Sequence, residues 1–391
     1  MEFETWWLLG IPIFFSLGWI AARVDIKQLI SESRSLPSSY FKGLNFLLNE
    51  QPDKAIDAFI EVVKLDPETV ELHFALGNLF RRRGETERAI RIHQNLLARP
   101  DMPLEYQIHA QYELGQDYLK AGLLDRAEEA FNKLVDTPHS AQARRALLEI
   151  YQREKEWTRA IEAAKALQES GAGSRQKEIA QFYCELAQDE LVHTHPDAAM
   201  DMLEKALAAD RKNVRATMLM GDAYLAKGDT ETALLTWRRV EHQSVPHVAL
   251  VAQRLMDGYR TVGRPQEGAN LLRSYLADAS SIDLIEVVFK ATLELNGVEA
   301  ANQLVSDELR RTPTLLGLDK LLEARLLNAM PEVRPELSLV KNLVHGYAQK
   351  LARYQCGHCG FKARQFYWQC PGCSQWETYP PRRTEELNVM N

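Results

Sequence analysis

Short catalytic motifs are absent from this sequence of 391 residues. It contains no Walker phosphate-binding loop, no GxGxxG after a strand, no HExxH zinc motif and no GxSxG nucleophile elbow. These absences argue against P-loop NTPases, dinucleotide-dependent oxidoreductases, zinc proteases of the HExxH type and α/β-hydrolases. The histidines are scattered singly, and we predict that the chain is not an enzyme.

An excess of positive charge is also missing, and cysteine is scarce. The formal net charge is -7 with 26% charged residues, so the chain has no global basic footprint and no nucleic-acid partner is expected. Only five cysteines occur, and four of them lie close together near the C-terminus. This usage favours metal binding in a reducing compartment over a disulfide-bonded secreted fold.

The clustered cysteines form two CxxC pairs, CGHC and CPGC, with ten residues between them. Gly357, Gly360 and Gly372 allow tight turns in which backbone N–H groups point at the sulfurs. Two such pairs can place four thiolates around one ion, as in structural zinc sites and rubredoxin-type iron sites. The cofactor is therefore predicted to be one iron or zinc ion; unligated thiols or a disulfide framework are the alternatives. The predicted ligands are Cys356, Cys359, Cys370 and Cys373.

Residues 354–380 are too few to fold around a hydrophobic core alone, so this predicted metal-binding domain depends on its ion. Its apolar side chains are aromatic, and we expect them to pack around the metal; a platform for stacking nucleic-acid bases is the alternative. His358 is expected to be a solvent-facing turn residue. Cys184, the fifth cysteine, lies in a helical stretch and is expected to be buried in the core. The aromatic residues are Tyr354, Phe361, Phe366, Tyr367, Trp368, Trp376 and Tyr379.

The N-terminus carries a long apolar run. From Trp6 to Ala22 no side chain is charged, which is enough for a short membrane-spanning helix. We therefore predict a transmembrane anchor at residues 1–22 and a polar juxtamembrane linker at 23–37. A cleaved signal peptide is the alternative, but the residues before the run are acidic rather than basic. Because basic residues follow the span and none precedes it, the bulk of the chain is expected on the cytoplasmic side.

A repeat fills the middle of the chain, residues 38–330. Small residues recur every 33 to 39 positions, and the period with its helix–turn–helix unit is the tetratricopeptide signature, here about eight or nine copies. We predict an all-α fold, a tetratricopeptide α-solenoid; an irregular helical bundle is the alternative. A linker and helix (331–353) lead to the metal domain, and residues 381–391 form a tail. The small residues are Ala55, Ala89, Ala127, Ala160, Ala199, Ala233, Gly268 and Ala301.

Tetratricopeptide arrays bind peptides and protein segments, and resemblance to other such proteins implies that the first helix of each copy lines the groove. A basic groove would suit acidic side chains or a terminal carboxylate. The alternative is a solvated charged face. The candidate partner-binding residues are Asn78, Arg81, Arg82, Gln116, Lys120, Arg145 and Arg153.

The chain has a predicted anchor, then repeats, then the metal-binding domain with its four cysteines, here called the tetracysteine knot. This order resembles the lipopolysaccharide assembly protein B family of Gram-negative bacteria. The resemblance covers nearly the whole chain. Its specific stretches are Gly77-Asn78-Leu79-Phe80 with GETERAIRIHQNLL, GQDYLKAGLLDRAEEAF from Gly115, FYCEL at Phe182, and YQCGHCGF with YWQCPGC. Only the four knot cysteines carry over residue by residue, as ligands of a rubredoxin-type metal site.

This resemblance implies an adaptor in the bacterial inner membrane that works with the membrane-anchored protease FtsH. Together they would control the level of the deacetylase that commits carbon to lipid A. The resemblance also implies that such a protein gathers other lipopolysaccharide assembly enzymes at the membrane. Two alternatives stay open: a general membrane-tethered co-chaperone or scaffold, and an electron carrier, because iron held by four thiolates is redox-capable.

Overall fold

The computed structural model describes Trp19, residues 38–65 and residues 69–389. Apart from Trp19, the predicted anchor (1–22) and linker (23–37) lie outside these residues. Within the described ranges, no helix combines the length and apolar character needed to cross a bilayer. The chain divides into two compact units, and their boundary along the sequence lies between residues 153 and 154.

The first unit consists of helices joined by short turns, as the repeat pattern predicts. The first six helices each pack against the next one among them, and short connections of this kind typically join antiparallel neighbours. The last helix ends one residue beyond the boundary between the units. The helices are α1 (Ser38–Leu48), α2 (Pro52–Leu65), α3 (Val70–Arg83), α4 (Thr86–Leu97), α5 (Leu104–Ala121), α6 (Leu124–Asn132) and α7 (Ser140–Glu154).

The second unit continues the helix pairs and ends in the cysteine-rich segment. A 3-10 turn (Val245–His247) separates a short helix, Val240–Gln243, from the helix Val248–Thr261. The remaining elements are α8 (Trp157–Glu169), α9 (Gln176–Val192), α10 (Pro196–Ala209), α11 (Val214–Ala226), α12 (Thr230–Arg238), α13 (Val240–Gln243), α14 (Val248–Thr261), α15 (Pro265–Ala279), α16 (Ile282–Arg311), α17 (Leu315–Leu327), α18 (Arg334–Leu351), β1 (Tyr354–Gln355), β2 (Lys362–Ala363) and α19 (Thr384–Val389).

The small residues that mark the repeats are buried, as predicted. All seven alanines among them have 0% exposure, and Gly268 is buried as well. Their size lets the two helices of a copy approach closely. Gly84 and Gly122 end α3 and α5 with positive φ angles of 87° and 75°, a conformation that glycine adopts without strain. The prediction of an all-helical tetratricopeptide solenoid is confirmed.

A glycine on the first helix faces a ring on the second helix in four of the repeats. The ring always lies 16 residues after the glycine. A Cβ atom added to the glycine would come within 3.0 Å of that ring, so only glycine fits. The ring thus fills the space between the paired helices. The pairs are Gly43–Phe59, Gly77–His93, Gly115–Phe131 and Gly221–Trp237.

The C-terminal repeats depart from this pattern. Helix α16 runs for 30 residues, but Gly297 breaks its helical conformation with φ 86° and ψ 179°. The break divides it into two halves, and Ala301 marks the second half as the degenerate last copy. After α18 the chain changes character. Strands β1 and β2 pair antiparallel, with Tyr354 opposite Ala363, and carry the first CxxC turn between them.

Candidate metal centre and its docking surface

The two CxxC turns bring four sulfurs into one cluster. All four Sγ atoms lie within 4.8 Å of one another. The distance from Cys356 Sγ to Cys373 Sγ is 3.8 Å, and that from Cys359 Sγ to Cys370 Sγ is 3.6 Å. A tetrahedral ion with metal–sulfur bonds of about 2.3 Å requires sulfur–sulfur distances of about 3.8 Å. The four residues therefore fit one tetrahedral zinc or iron ion.

Backbone N–H groups point at the buried sulfur of each pair. Cys356 Sγ lies 3.4 Å from the nitrogen of His358 and 3.5 Å from that of Cys359. Cys370 Sγ lies 3.4 Å from the nitrogen of Gly372, so the two turns repeat the same geometry. Gly360 closes the first turn with φ 76°. These dipoles stabilise negative charge on sulfur, which is what a thiolate ligand needs.

Ionisation of Cys356 is favoured by its neighbours. Burial alone would raise the pKa of its thiol. The Thr378 hydroxyl, 3.2 Å from Sγ, and the two backbone N–H groups outweigh that effect and lower the pKa to about 6. A bound cation would favour the thiolate form of all four residues further.

Six of the seven aromatic residues divide into two groups, which the sequence did not distinguish; the seventh, Phe361, is 44% exposed. Tyr354 and Tyr379 are buried against Cys356 and Cys370, with Phe366 and Tyr367 beside them. This group surrounds the cluster, as predicted. His358 is exposed in its turn and Cys184 is fully buried, and both outcomes confirm the expectations for these residues.

Trp376 belongs to the second group and packs against the repeats of the second unit. Its ring lies 6.0 Å from that of Trp157 and 5.9 Å from that of Phe182, edge to face in both cases. The next residue, Glu377, accepts hydrogen bonds from Gln181 (2.6 Å) and Asn213 (3.4 Å). Apolar and polar contacts thus join the second CxxC turn to helices α8, α9 and the start of α11.

Trp368 makes a further contact with the repeats. Its ring stacks on His247 with a centroid distance of 5.9 Å and an interplanar angle of 8°. Ser244 Oγ lies 2.8 Å from His247 Nδ1. Burial lowers the pKa of His247 to about 4, so the ring is neutral in the folded protein at neutral pH.

Arg383 connects the chain after the metal domain to α16. Its Nη2 donates to Asp283 Oδ1 (2.7 Å) and its Nε to Oδ2 (3.0 Å). The guanidinium also lies 4.2 Å from the centre of the Tyr354 ring, and the Tyr354 hydroxyl donates to Asp283 at 2.7 Å. A two-point contact of this kind fixes orientation as well as distance.

Two carboxylates of the predicted tail (381–391) cap helices of the repeat array. Glu386 accepts a hydrogen bond of 2.6 Å from the backbone nitrogen of Ile282, at the start of α16. Glu385 accepts from the backbone nitrogens of Leu315 and Leu316, at the start of α17. Negative charge is favourable at a helix N-terminus. The metal domain and the segment after it therefore contact helices of the second unit from α8 to α17.

The predicted partner-binding residues lie on α3, α5 and α7 of the first unit, and the structure gives them different surroundings. Arg81 is mostly buried: it donates to Glu113 (2.6 Å), Asp117 (2.9 Å) and Asn78 (2.7 Å). Arg153 pairs with Glu149 on its own helix, and Gln116 donates to Tyr112. Arg153 is exposed despite this pairing, and Arg82, Lys120 and Arg145 are exposed as well. Arg81 and Asn78 are thus part of an internal network.

This network contains a buried histidine that sequence reasoning did not single out. His93 Nδ1 lies 2.5 Å from Asp117 Oδ2, and both side chains have 0% exposure. Asp117 thereby joins His93 to Arg81. The signal was present in the sequence, because His93 stands 16 residues after Gly77, where the other copies have phenylalanine or tryptophan.

Paired helices with this spacing, joined to a four-thiolate knot, define a tetratricopeptide-repeat protein with a rubredoxin-type metal domain. The model of the rubredoxin metal-binding domain matches residues 354–381, and tetratricopeptide models match residues 42–103, 112–175 and 194–253. Lipopolysaccharide assembly protein B of Escherichia coli K12 is 37% identical over 96% of this chain and 97% of its own length. The chain belongs to the lipopolysaccharide assembly protein B family.

A second relative agrees with this assignment, and a solved structure is also similar to part of the chain. Lipopolysaccharide assembly protein B of Haemophilus influenzae Rd is 30% identical over 97% of this chain and 98% of its own length. Among solved structures, the MamA protein is 23% identical over 46% of this chain and 94% of its own, with a TM-score of 0.31. That score is too low to carry an argument.

Proposed function

We propose that this chain is an inner-membrane adaptor that regulates lipopolysaccharide levels. In this proposal it promotes degradation of the lipid A pathway deacetylase by the protease FtsH, does no chemistry itself, and coordinates lipopolysaccharide assembly enzymes at the membrane. The observation that carries the proposal is sequence similarity, along nearly the whole chain, to proteins named for lipopolysaccharide assembly; the identities are 37% and 30%. The repeat array supports it, because arrays of this kind bind protein segments.

Placement at the membrane rests on the sequence. The uncharged run from Trp6 to Ala22 supports a single span at residues 1–22, and the basic residues after it support a cytoplasmic position for the rest of the chain. An anchor raises the concentration of a bound client near a membrane protease without any additional contact. A soluble chain that lacks residues 1–22 should therefore fold but lose most of its effect on client levels.

The metal domain supports a structural role for its ion. Trp376, Glu377 and Arg383 all contact helices of the second unit, so the folded knot holds these helices in one arrangement. Of the two alternatives, a general membrane-tethered co-chaperone or scaffold and an electron carrier, the second is tested through the metal. A protein loaded with zinc, which is redox-silent, should support full regulation if the role is structural and none if electron transfer is required.

A pulse-chase measurement in cells depleted of this protein tests the proposal. We expect the deacetylase to have a longer half-life in depleted cells, with no change in its rate of synthesis. Accumulation of lipopolysaccharide precursor should follow. If the deacetylase decays at its normal rate, the adaptor proposal fails, and a scaffold for the assembly enzymes becomes the better reading.

Client recognition is proposed for the exposed cations of the first unit. Arg82, Lys120 and Arg145 suit an acidic segment, while Arg81 orders the helices through its carboxylate partners. Arg82→Glu combined with Lys120→Glu should weaken client binding in a salt-dependent way without unfolding the array. Arg91→Glu, an exposed position on the second helix α4, is the matched control. Equal client binding by the double variant and the control would show that the client binds at a different surface.

A further inference from the structure

Helix α18 presents two different faces. One face packs on α17, where His345 Nδ1 lies 2.8 Å from Asp319 Oδ2. On that side Ala348 is fully buried against Ile282 and Leu316. These contacts fix the helix on the repeat array and determine which side points away from it.

The opposite face is apolar and exposed. Leu339 is 62% exposed, Leu343 64% and Tyr347 69%, and Val340 beside them is 42% exposed. Residues 339, 343 and 347 are spaced four apart, so they form one stripe along the helix. Large apolar side chains that cluster on a surface mark a site of interaction.

Opposite charges stand at the two ends of this stripe. Glu336 lies seven residues before Leu343, and Lys350 lies seven residues after it. Seven residues are close to two helical turns, so both charges point in nearly the same direction as Leu343, each about 10 Å along the axis. Both residues are exposed, and the Lys350 ammonium lies 5.1 Å from the centre of the Tyr347 ring.

The stripe and its two terminal charges are self-complementary when a second copy of α18 runs antiparallel to the first, with the centre of the pair at Leu343. In an antiparallel pair with its two-fold axis at Leu343, residues whose numbers are equally far from 343 oppose each other. Leu343 then meets its own copy, Leu339 meets the partner subunit's Tyr347, and Glu336 meets the partner subunit's Lys350. A parallel pair would instead bring like charges together at both ends.

We propose that the stripe of α18, residues 336–350, is the contact surface between two copies of this chain, packed antiparallel about Leu343. A symmetric contact of this kind uses the same patch on both copies. Two helices of 18 residues form a small interface, so the pair belongs to the weak, reversible class that buries less than about 1,200 Å². Confinement of both copies to one membrane would favour such a contact.

Photo-crosslinking in living cells tests the proposal on the full chain. A photoreactive phenylalanine analogue at Leu343 should give a crosslinked species of twice the chain mass that contains only this protein. The analogue at Asn342, the exposed polar neighbour that points off the stripe, is the matched control and should give little of it. No crosslink from position 343, or a crosslink to a different protein, overturns the proposal.

Charge exchange tests the antiparallel register. Glu336→Lys or Lys350→Glu alone places like charges at both ends of the pair, and each should reduce the crosslinked dimer by about tenfold. The double variant Glu336→Lys with Lys350→Glu restores opposite charges, so it should recover the dimer. Unchanged thermal melting and metal content would show that each variant is folded. The antiparallel register is contradicted if the yield of crosslinked dimer is unchanged by the single substitutions, or if the double variant does not recover the dimer.

Discussion

Arg383 and Asp283, 100 residues apart in the sequence, meet in a two-point ion pair whose distances are 2.7 and 3.0 Å. The pair joins the segment directly after the metal domain to the first turn of α16. Both side chains are about four-fifths buried. The same aspartate accepts the Tyr354 hydroxyl, so one carboxylate receives hydrogen bonds from two residues of the C-terminal segment.

Removing one member of this pair should loosen the metal domain from the repeats. Arg383→Ala leaves Asp283 partly buried without its cation, and we expect a loss of about 2 kcal/mol in the free energy of unfolding. Urea denaturation of single and double variants measures the coupling between the two residues. Arg310→Ala, which removes an exposed pair with Asp307, is the control and should change stability by less than about 0.5 kcal/mol. Equal effects from the two arginines would contradict a special role for Arg383.

The metal cysteines and Cys184 should respond differently to substitution. Cys356→Ser or Cys373→Ser should release the ion and unfold residues 354–380, because metal binding supplies on the order of 10 kcal/mol to such small sites. Cys184→Ala should keep the full metal content, since its sulfur is buried between helices, where burial raises its pKa to about 12. Elemental analysis and limited proteolysis check both expectations. A metal-free quadruple variant with an intact C-terminal domain would refute the structural role.

Two glycine-to-alanine substitutions should change the stability of the protein in opposite directions. Gly221→Ala would place a Cβ atom within 3.0 Å of the Trp237 ring, so the paired helices must move apart, at about 1–3 kcal/mol of stability. Gly346→Ala meets no atom within 4 Å on the exposed side of α18 and should stabilise that helix by up to about 1 kcal/mol. Thermal unfolding of both variants provides the comparison. A neutral Gly221→Ala would mean that the ring does not control helix spacing.

The contact between His247 and Trp368 should weaken in acid. Burial lowers the pKa of His247 to about 4, against an ordinary value of about 6.5. The unfolded chain therefore takes up this proton first, so the stability that the neutral ring supplies is present above about pH 6.5 and is lost as the pH falls towards 4. His247→Phe should flatten this part of the pH profile.

Comparison of the two proteins at each pH isolates the His247 effect, because acid acts on the metal thiolates of both alike. The difference in unfolding free energy between pH 7 and pH 4 should shrink by at most about 3 kcal/mol in the variant. Urea denaturation at intermediate pH values gives the full curve. Parallel curves for the two proteins would show that His247 is not the titrating group.

The repeat architecture and the metal ligands were both predictable from the order of residues alone. The repeats depend on a small residue where two helices cross and a glycine where a helix ends, which recur every 33 to 39 positions. The metal ligands depend on two cysteines in each CxxC turn. Local geometry decides such features, so they can be read without knowing where the rest of the chain lies.

The ion-pair partners of the predicted groove residues and the position of the metal domain on the repeats became known from the folded chain. The sequence predicts Arg81 to be a cation of the binding groove, yet it is held by Glu113 and Asp117 on α5, the first helix of the next repeat. The sequence predicts Trp376 to pack around the metal, yet its ring packs on Trp157 and Phe182. These partners are 32 to more than 200 positions away along the chain, and no local period encodes such pairings. They follow from the stacking of whole helices, which fixes the distances between residues remote in sequence.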